Sequence, residues 1–188
     1  MRSLLKSKRG LSTVVTTLII LVVSVLLATV VTFYAINVTT TRVQEEDLLI
    51  QKIHIWYVPA ASPYVQAGFV LINTGGRDVV LDKIAVRGQE KAWDEIYYWK
   101  TQTAVTNDLS ETNATLSGNT FNMSIDDNWE TFTKGSTDLT VKSGDTAVIY
   151  IKNPDSVTLS DVGTTIGITV HTMRAQYYKE CNVEAPTT

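Results

Sequence analysis

The sequence predicts an α+β chain: one long hydrophobic N-terminal α-helix followed by an all-β, immunoglobulin-like sandwich. Three observations predict it. Residues Leu11 to Thr41 contain no charged side chain, and no Pro or Gly interrupts the chain between Gly10 and Pro59. From about residue 50 the helical pattern gives way to loose alternation of apolar and polar residues. Turn signals then recur at short, regular spacing, the mark of a sandwich.

The apolar run exceeds the roughly 20 residues that cross a bilayer as a helix. As one helix, Leu11–Asp47 would reach roughly 55 Å, well past a hydrocarbon core of roughly 30 Å. A secretory signal peptide is too short to account for it, since such peptides carry only about 7–15 apolar residues. Tyr34-Ala35, the small-residue position near the end of the run, makes a poor cleavage site. Charge fixes the direction of insertion. Arg2, Lys6, Lys8 and Arg9 precede the run with no acid among them, which holds that side in the cytoplasm and places everything after Thr41 outside. Of 16 basic residues those four leave twelve against 19 acidic, a net charge of −7 for the rest of the chain. An acidic body lacks the basic stripe of a nucleic-acid footprint, so no nucleic-acid partner is expected.

Along the run, Thr17, Leu21, Ser24, Ala28, Val31 and Ala35 advance by steps of three and four, which keeps them on one face. The small residues Thr17, Ser24, Ala28 and Ala35 let helices approach closely without help from water. Leu18, Ile19, Val22, Val25, Leu26 and Val30 make the other faces apolar, so the helix is to be covered by lipid or by its own kind. The polar stretch after Val38 weakens helix propensity through Thr39-Thr40-Thr41, and the helix is expected to persist to about Asp47.

The strands expected next are Ile50–Val58, Val65–Asn73, Val79–Arg87 and Trp93–Thr101, the last with Ile96, Tyr98 and Trp99 toward the core. Asn107 to Trp129, rich in Asn, Thr, Ser and Asp, reads as a loop-heavy outer region with a short strand at Thr120–Ile125. Leu139–Val141, Thr146–Lys152 and Thr164–Met173, the last running on toward Tyr178, complete a count of seven to nine.

Chemistry-bearing constellations are thin. His54 and His171 lie in strand patterns without a second His or Cys at metal-ligand spacing, and read as structural residues. There is no phosphate loop, nucleophile elbow or HExxH motif, so no catalytic residue, metal or cofactor is assigned and an enzyme is not expected. Asp126-Asp127-Asn128-Trp129-Glu130 could offer oxygens to a hard cation but lacks EF-hand spacing; a solvated acidic loop is the alternative. Trp93, Tyr97, Tyr98 and Trp99 read as packing, with a carbohydrate-binding patch as the sharper alternative. Asn-x-Ser/Thr sequons stand at Asn37, Asn113 and Asn122. Asn113 and Asn122 are the favoured glycosylation sites, because a glycan on Asn37 at the end of the apolar helix would obstruct bundling. Cys181 is the only cysteine, so no intramolecular disulfide supports the domain. A buried free thiol and an intermolecular bridge are its two readings.

The stretch Lys8-Arg9-Gly10-Leu11-Ser12-Thr13-Val14-Val15, followed by a long Leu/Ile/Val helix, resembles the class III signal peptide of archaeal type IV pilins and archaellins. Bacterial type IV pilins usually carry Phe after the cut and Glu five residues in; Leu11 and Val15 match the archaeal branch instead. The resemblance covers about forty residues. It implies cleavage between Gly10 and Leu11 by a prepilin peptidase, and a domain plan of leader 1–10, helix 11–48 and extracellular sandwich 49–188. It also implies a subunit that waits in the membrane, then polymerises with its own copies through helix bundling. A pilus assembly ATPase and a membrane platform would be its partners. The LSTVV run favours a pilus for adhesion over the swimming archaellum. An uncleaved, membrane-anchored extracellular binding domain is the other reading, and it leaves the residues around Gly10 without meaning.

Overall fold

The computed structural model describes residues 2–60, 62–112, 116–154 and 156–186, and within these the side chains of 2–9 and 42–43 fall outside the described set. The chain divides into two compact units, Met1–Gln44 and Glu45–Thr188.

The first unit is one helix, α1 (Arg2–Val43). It stops short of Asp47 for three local reasons. The β-branched Thr39, Thr40 and Thr41 have low propensity. The acids Glu45, Glu46 and Asp47 would lie at the negative end of the helix dipole. The carbonyls of Glu45 and Asp47 also have other donors, within the second unit: Gly76 N–H donates to Glu45 O (3.2 Å), and Thr74 and Gly75 N–H to Asp47 O (3.0 Å each).

The second unit contains eleven strands among the described residues: β1 (Leu48–Val58), β2 (Tyr64–Asn73), β3 (Val79–Val86), β4 (Gln89–Lys91), β5 (Ile96–Thr101), β6 (Thr120–Ile125), β7 (Asn128–Lys134), β8 (Leu139–Val141), β9 (Thr146–Lys152), β10 (Thr165–Thr172) and β11 (Gln176–Glu184). Their hydrogen-bonded order is β4-β3-β10-β11-β1-β2-β9-β5-β7-β6, with β8 also pairing β3. Only β1 and β11 pair in parallel, through Ile55↔Val183 and Trp56↔Glu184. At that short seam the path turns from one sheet to the other, and the two sheets face each other as a sandwich. Phe69, Leu71, Ile149 and Ile151 of one sheet meet Leu81, Ile84, Ile168 and Val170 of the other in the main core.

A second core lies on the opposite face of β2 and β9. Val70, Val148, Tyr150 and Trp56 are buried there with Tyr97, Phe121, Phe132, Leu109 and Leu116. The β6–β7 hairpin curls over that face. Phe121 stacks on Phe132 (4.8 Å between centroids), and Phe132 meets Tyr150 edge-on at 5.4 Å. Covered on both faces, β2 and β9 read as nearly continuous apolar runs rather than alternating ones. Gly68 on β2 makes room for this packing: a Cβ there would lie 3.1 Å from both Trp56 and Tyr150.

Several expectations are corrected. Eleven strands among the described residues replace seven to nine: β4 is only three residues long, β7 begins inside the polar run, and β11 folds back on β10. The acidic run opens on the two-residue turn of the β6–β7 hairpin, Asp126 and Asp127 at φ 48° and 65°, the signature of a tight primed turn, and continues as the start of β7. The strand expected from Thr164 toward Tyr178 is a hairpin, broken where Thr172 Oγ accepts from Arg174 and Ala175 N–H (3.2 and 2.9 Å). Trp93 sits in a single 3₁₀ turn, Trp93–Glu95, its indole N–H donating to Asp82 O (3.2 Å). Ile96 and Tyr98 face the main core, while Tyr97 and Trp99 face the second. The loop-heavy region is partly interior: Leu109 and Leu116 are buried, and so is Gln66 of β2, which treats the loop as another strand. Its side-chain amide donates to Thr112 O (3.1 Å) and accepts from Thr112 N–H (3.0 Å).

Gly75 closes the domain over its own first residues. A Cβ there would stand 2.6 Å from Glu45 O and 2.7 Å from Asp47 N, both backbone atoms. Gly75→Ala is expected to cost about 1–3 kcal/mol through overpacking, measured by denaturant unfolding, with residues 45–47 cut faster in limited proteolysis. An unchanged midpoint and cleavage pattern would show that this junction yields freely.

Candidate processing and assembly helix

Within α1, Gly10–Thr41 is a 32-residue apolar stretch whose most apolar 18-residue window has a mean hydropathy of 2.9, none of it buried. At 1.5 Å per residue it spans roughly 48 Å. Every large apolar side chain from Leu11 to Val38 is 42–72% exposed. Most of the hydroxyls that interrupt this surface bond back onto the helix itself. Thr16 donates to Ser12 O (2.9 Å), Thr17 to Val14 O (2.9 Å), Ser24 to Ile20 O (2.7 Å), Thr29 to Val25 O (2.8 Å) and Thr32 to Ala28 O (2.8 Å). Such back-bonding lets a hydroxyl enter hydrocarbon without an unpaired donor. The helix is compatible with insertion in a membrane.

Thr17, Ser24, Ala28 and Ala35 are all exposed on α1, as is Asn37. Gly10 continues the helix, and a Cβ built on it meets nothing within 4 Å. Leu11, the next residue, is 71% exposed. Among the described residues, nothing in the packing therefore demands glycine at position 10. Glycine does weaken the helix locally, by about 1 kcal/mol relative to Ala, which eases unwinding of the Gly10–Leu11 bond.

On the β-domain the titratable groups gather around a bulge in β1. Gln51 pairs with Val70 and His54 with Gly68, so Lys52 and Ile53 together oppose Phe69. Lys52 takes φ 47°. Its ammonium then reaches the carbonyls of Val105 (2.9 Å), Thr106 (2.6 Å) and Asn107 (2.5 Å). From the other side the Asp126 carboxylate accepts the N–H of Thr106 (2.9 Å) and of Asn107 (2.6 Å). His54 lies between Asp108 (2.9 Å) and Glu184 (3.3 Å), stacked on Trp56 at 5.2 Å. These groups hold the 105–108 segment down on the second core. The hydrogen bond from His54 holds the Asp108 carboxyl below the usual carboxylate range, and the backbone N–H of Asn107, then Thr106, do the same for Asp126.

The remaining sequence candidates are dispersed. Asn122 is exposed on β6, and Asn113 lies outside the described residues. His171 is half-buried on β10. Cys181, half-buried on β11, has its thiol pushed up to about 11, first by burial and then by Glu184, which keeps it protonated at neutral pH. Sequence reasoning missed the Lys52 clamp. Its signal was faint, a lysine inside a strand pattern whose alternation slips by one residue.

Because both clamp carboxyls are depressed, their contribution is complete above the ordinary carboxylate pKa and fades as pH falls through it toward the lowered values. Asp126→Asn is expected to lower Tm at pH 7, and the difference from the parent chain is expected to shrink as acid protonates the Asp126 carboxylate. Thermal unfolding across pH checks this; a Tm difference that persists unchanged into acid would place its origin outside the ionised carboxylate.

In comparisons with known proteins, no family model and no curated protein matches this chain.

Proposed function

We propose that this chain is the structural subunit of an archaeal type IV pilus-like surface filament, polymerising through α1 and serving adhesion. The observation that carries the reading is the uncovered apolar cylinder Gly10–Thr41, preceded by Lys8-Arg9-Gly10 and followed by a separately folded domain. Covering one Val, Leu or Ile side chain is worth about 1.5–3 kcal/mol. Summed along this helix, that greatly exceeds the roughly 5–15 kcal/mol stability of a whole domain, so the helix must always be covered. Lipid covers it before assembly, and the helices of other copies cover it afterwards, with Thr17, Ser24, Ala28 and Ala35 as the close-approach face.

In this reading Gly10 is there for the peptidase. Cleavage between Gly10 and Leu11 removes Arg2, Lys6, Lys8 and Arg9, and leaves Leu11 at the head of a helix without charged side chains as far as Thr41. A cytoplasmic ATPase and a polytopic membrane platform supply the work of extraction. The β-sandwich forms the outer wall, and the protein performs no catalysis. The archaellum filament would use the same parts; the LSTVV run supports the pilus.

The test is the mature N-terminus. Mass spectrometry of sheared surface material is expected to find chains that begin at Leu11. Gly10→Val should block leader removal and abolish filaments while the outer domain stays folded, since the new Cβ meets nothing within 4 Å. Intact Met1 in the membrane fraction, with none of the protein in sheared material, would favour the anchored binding domain instead.

A further inference from the structure

The outer face of the β6–β7 hairpin carries an indole that the fold leaves in water. Trp129 is 77% exposed, whereas Trp56 is buried and Trp93 and Trp99 are half-buried. It forms one wall of a hollow of about 470 Å³, shared with Asn122 and Ser124 of β6 and with residues 110–112 of the loop opposite. The hairpin register pairs Asn122 with Thr131 and Ser124 with Trp129. Asn122 and Trp129 are therefore diagonal neighbours on one face, a spacing that an aromatic side chain spans. Asn122-Met123-Ser124 is also a glycosylation sequon.

The opposite wall is fixed residue by residue from the sheet beneath. Tyr150 Oη–H donates to Ser110 O (2.9 Å), Tyr64 Oη–H to Glu111 Oε2 (3.3 Å), and Gln66 exchanges two hydrogen bonds with Thr112. The lining offers hydroxyls, an amide and one carboxylate, with no basic side chain. It therefore suits a neutral polyol better than a phosphate or other anion. A pyranose fits both halves: its apolar C–H face lies on an indole, and its hydroxyls donate to a carboxylate.

We propose that this hollow seats the first sugar of a glycan attached to Asn122, with the pyranose packed on Trp129 and its hydroxyls toward Glu111. Attachment requires a lipid-phosphate-linked sugar as donor. The Asn122 amide nitrogen forms a bond to the anomeric carbon, the bond from that carbon to the phosphate oxygen breaks, the lipid phosphate leaves with its electron pair, and the amide loses one proton. Thr131 Oγ–H already donates to Asn122 Oδ1 (2.9 Å), which orients the amide nitrogen for a linked sugar. The seat presupposes the outward placement of the domain under the proposed function.

The test compares the full chain from native cells with its Ser124→Ala and Asn122→Gln variants, each checked for folding by circular dichroism. The Asn122 peptide of the native chain should carry a hexose-type mass increment absent from both variants. Acrylamide quenching of tryptophan should be about twofold stronger in the variants, because the exposed indole loses its cover. An unmodified Asn122 peptide, or a modified one with quenching equal to that of the variants, overturns the seat. So does an indole shielded in the Ser124→Ala protein, whether by an added sugar or only at high concentration, which would assign the hollow to a glycan in trans or to a second copy. Chains that begin at Leu11 but are bare at Asn122 would sink this inference alone; chains that keep Met1 and carry the sugar would sink the filament reading alone.

Discussion

A helix apolar on every face cannot be left in water, yet every large apolar side chain of α1 from Leu11 to Val38 is exposed. That constraint organises the molecule. It explains why the hydroxyls of Thr16, Thr17, Ser24, Thr29 and Thr32 turn back onto their own helix, because an unpaired donor in hydrocarbon would be costly. It explains why charge is confined to the ends, with Arg2, Lys6, Lys8 and Arg9 before Gly10 and Arg42 and the acids after Thr41. Under the proposed function the helix finds its cover first in lipid and then in other copies.

The β-domain meets the opposite demand. With a single cysteine and therefore no internal disulfide, it must hold itself together by packing, and it does so with two cores. The strands β2 and β9 are walls of both, so Phe69 and Val70, or Ile149 and Tyr150, are buried on opposite sides of the same strand. The second core depends on a loop, and loops carry polar backbone that must be paired. Gln66, Lys52 and Asp126 supply those partners from the sheet and the hairpin turn. At the other end of the unit the 73–76 turn grips residues 45–47, so the domain's first residues are fixed against its own sheet.

The parts legible in the sequence were those where one period dominates. The run from Leu11 to Thr41 has no competing signal, and β6 at Thr120–Ile125 alternates cleanly because only one of its faces is buried. The second core was hidden for the converse reason. A strand buried on both faces loses its alternation, and a polar loop that covers a core looks like any polar loop until Leu109, Thr112 and Leu116 are seen against β2. The β6–β7 hairpin was obscured because Asp-Asp at a primed turn resembles a cation-binding or solvated loop more than a turn; Asn-Gly would have announced itself. The candidate site divides in the same way. Gly10 and Leu11 stand out by local pattern, whereas the neighbourhood of Asn122 and Trp129 depends on hairpin register, which the sequence alone left open.

In the proposed filament, copies of α1 cover one another. With Cys181 half-buried and protonated at neutral pH, a cysteine placed at Ala28 would report on that contact with little background. Ala28→Cys chains in intact sheared filaments, oxidised under mild conditions, are predicted to run as covalent dimers, while Val30→Cys on another face yields fewer. Monomers alone from both variants in intact filaments, or equal cross-linking from the two, would contradict the account.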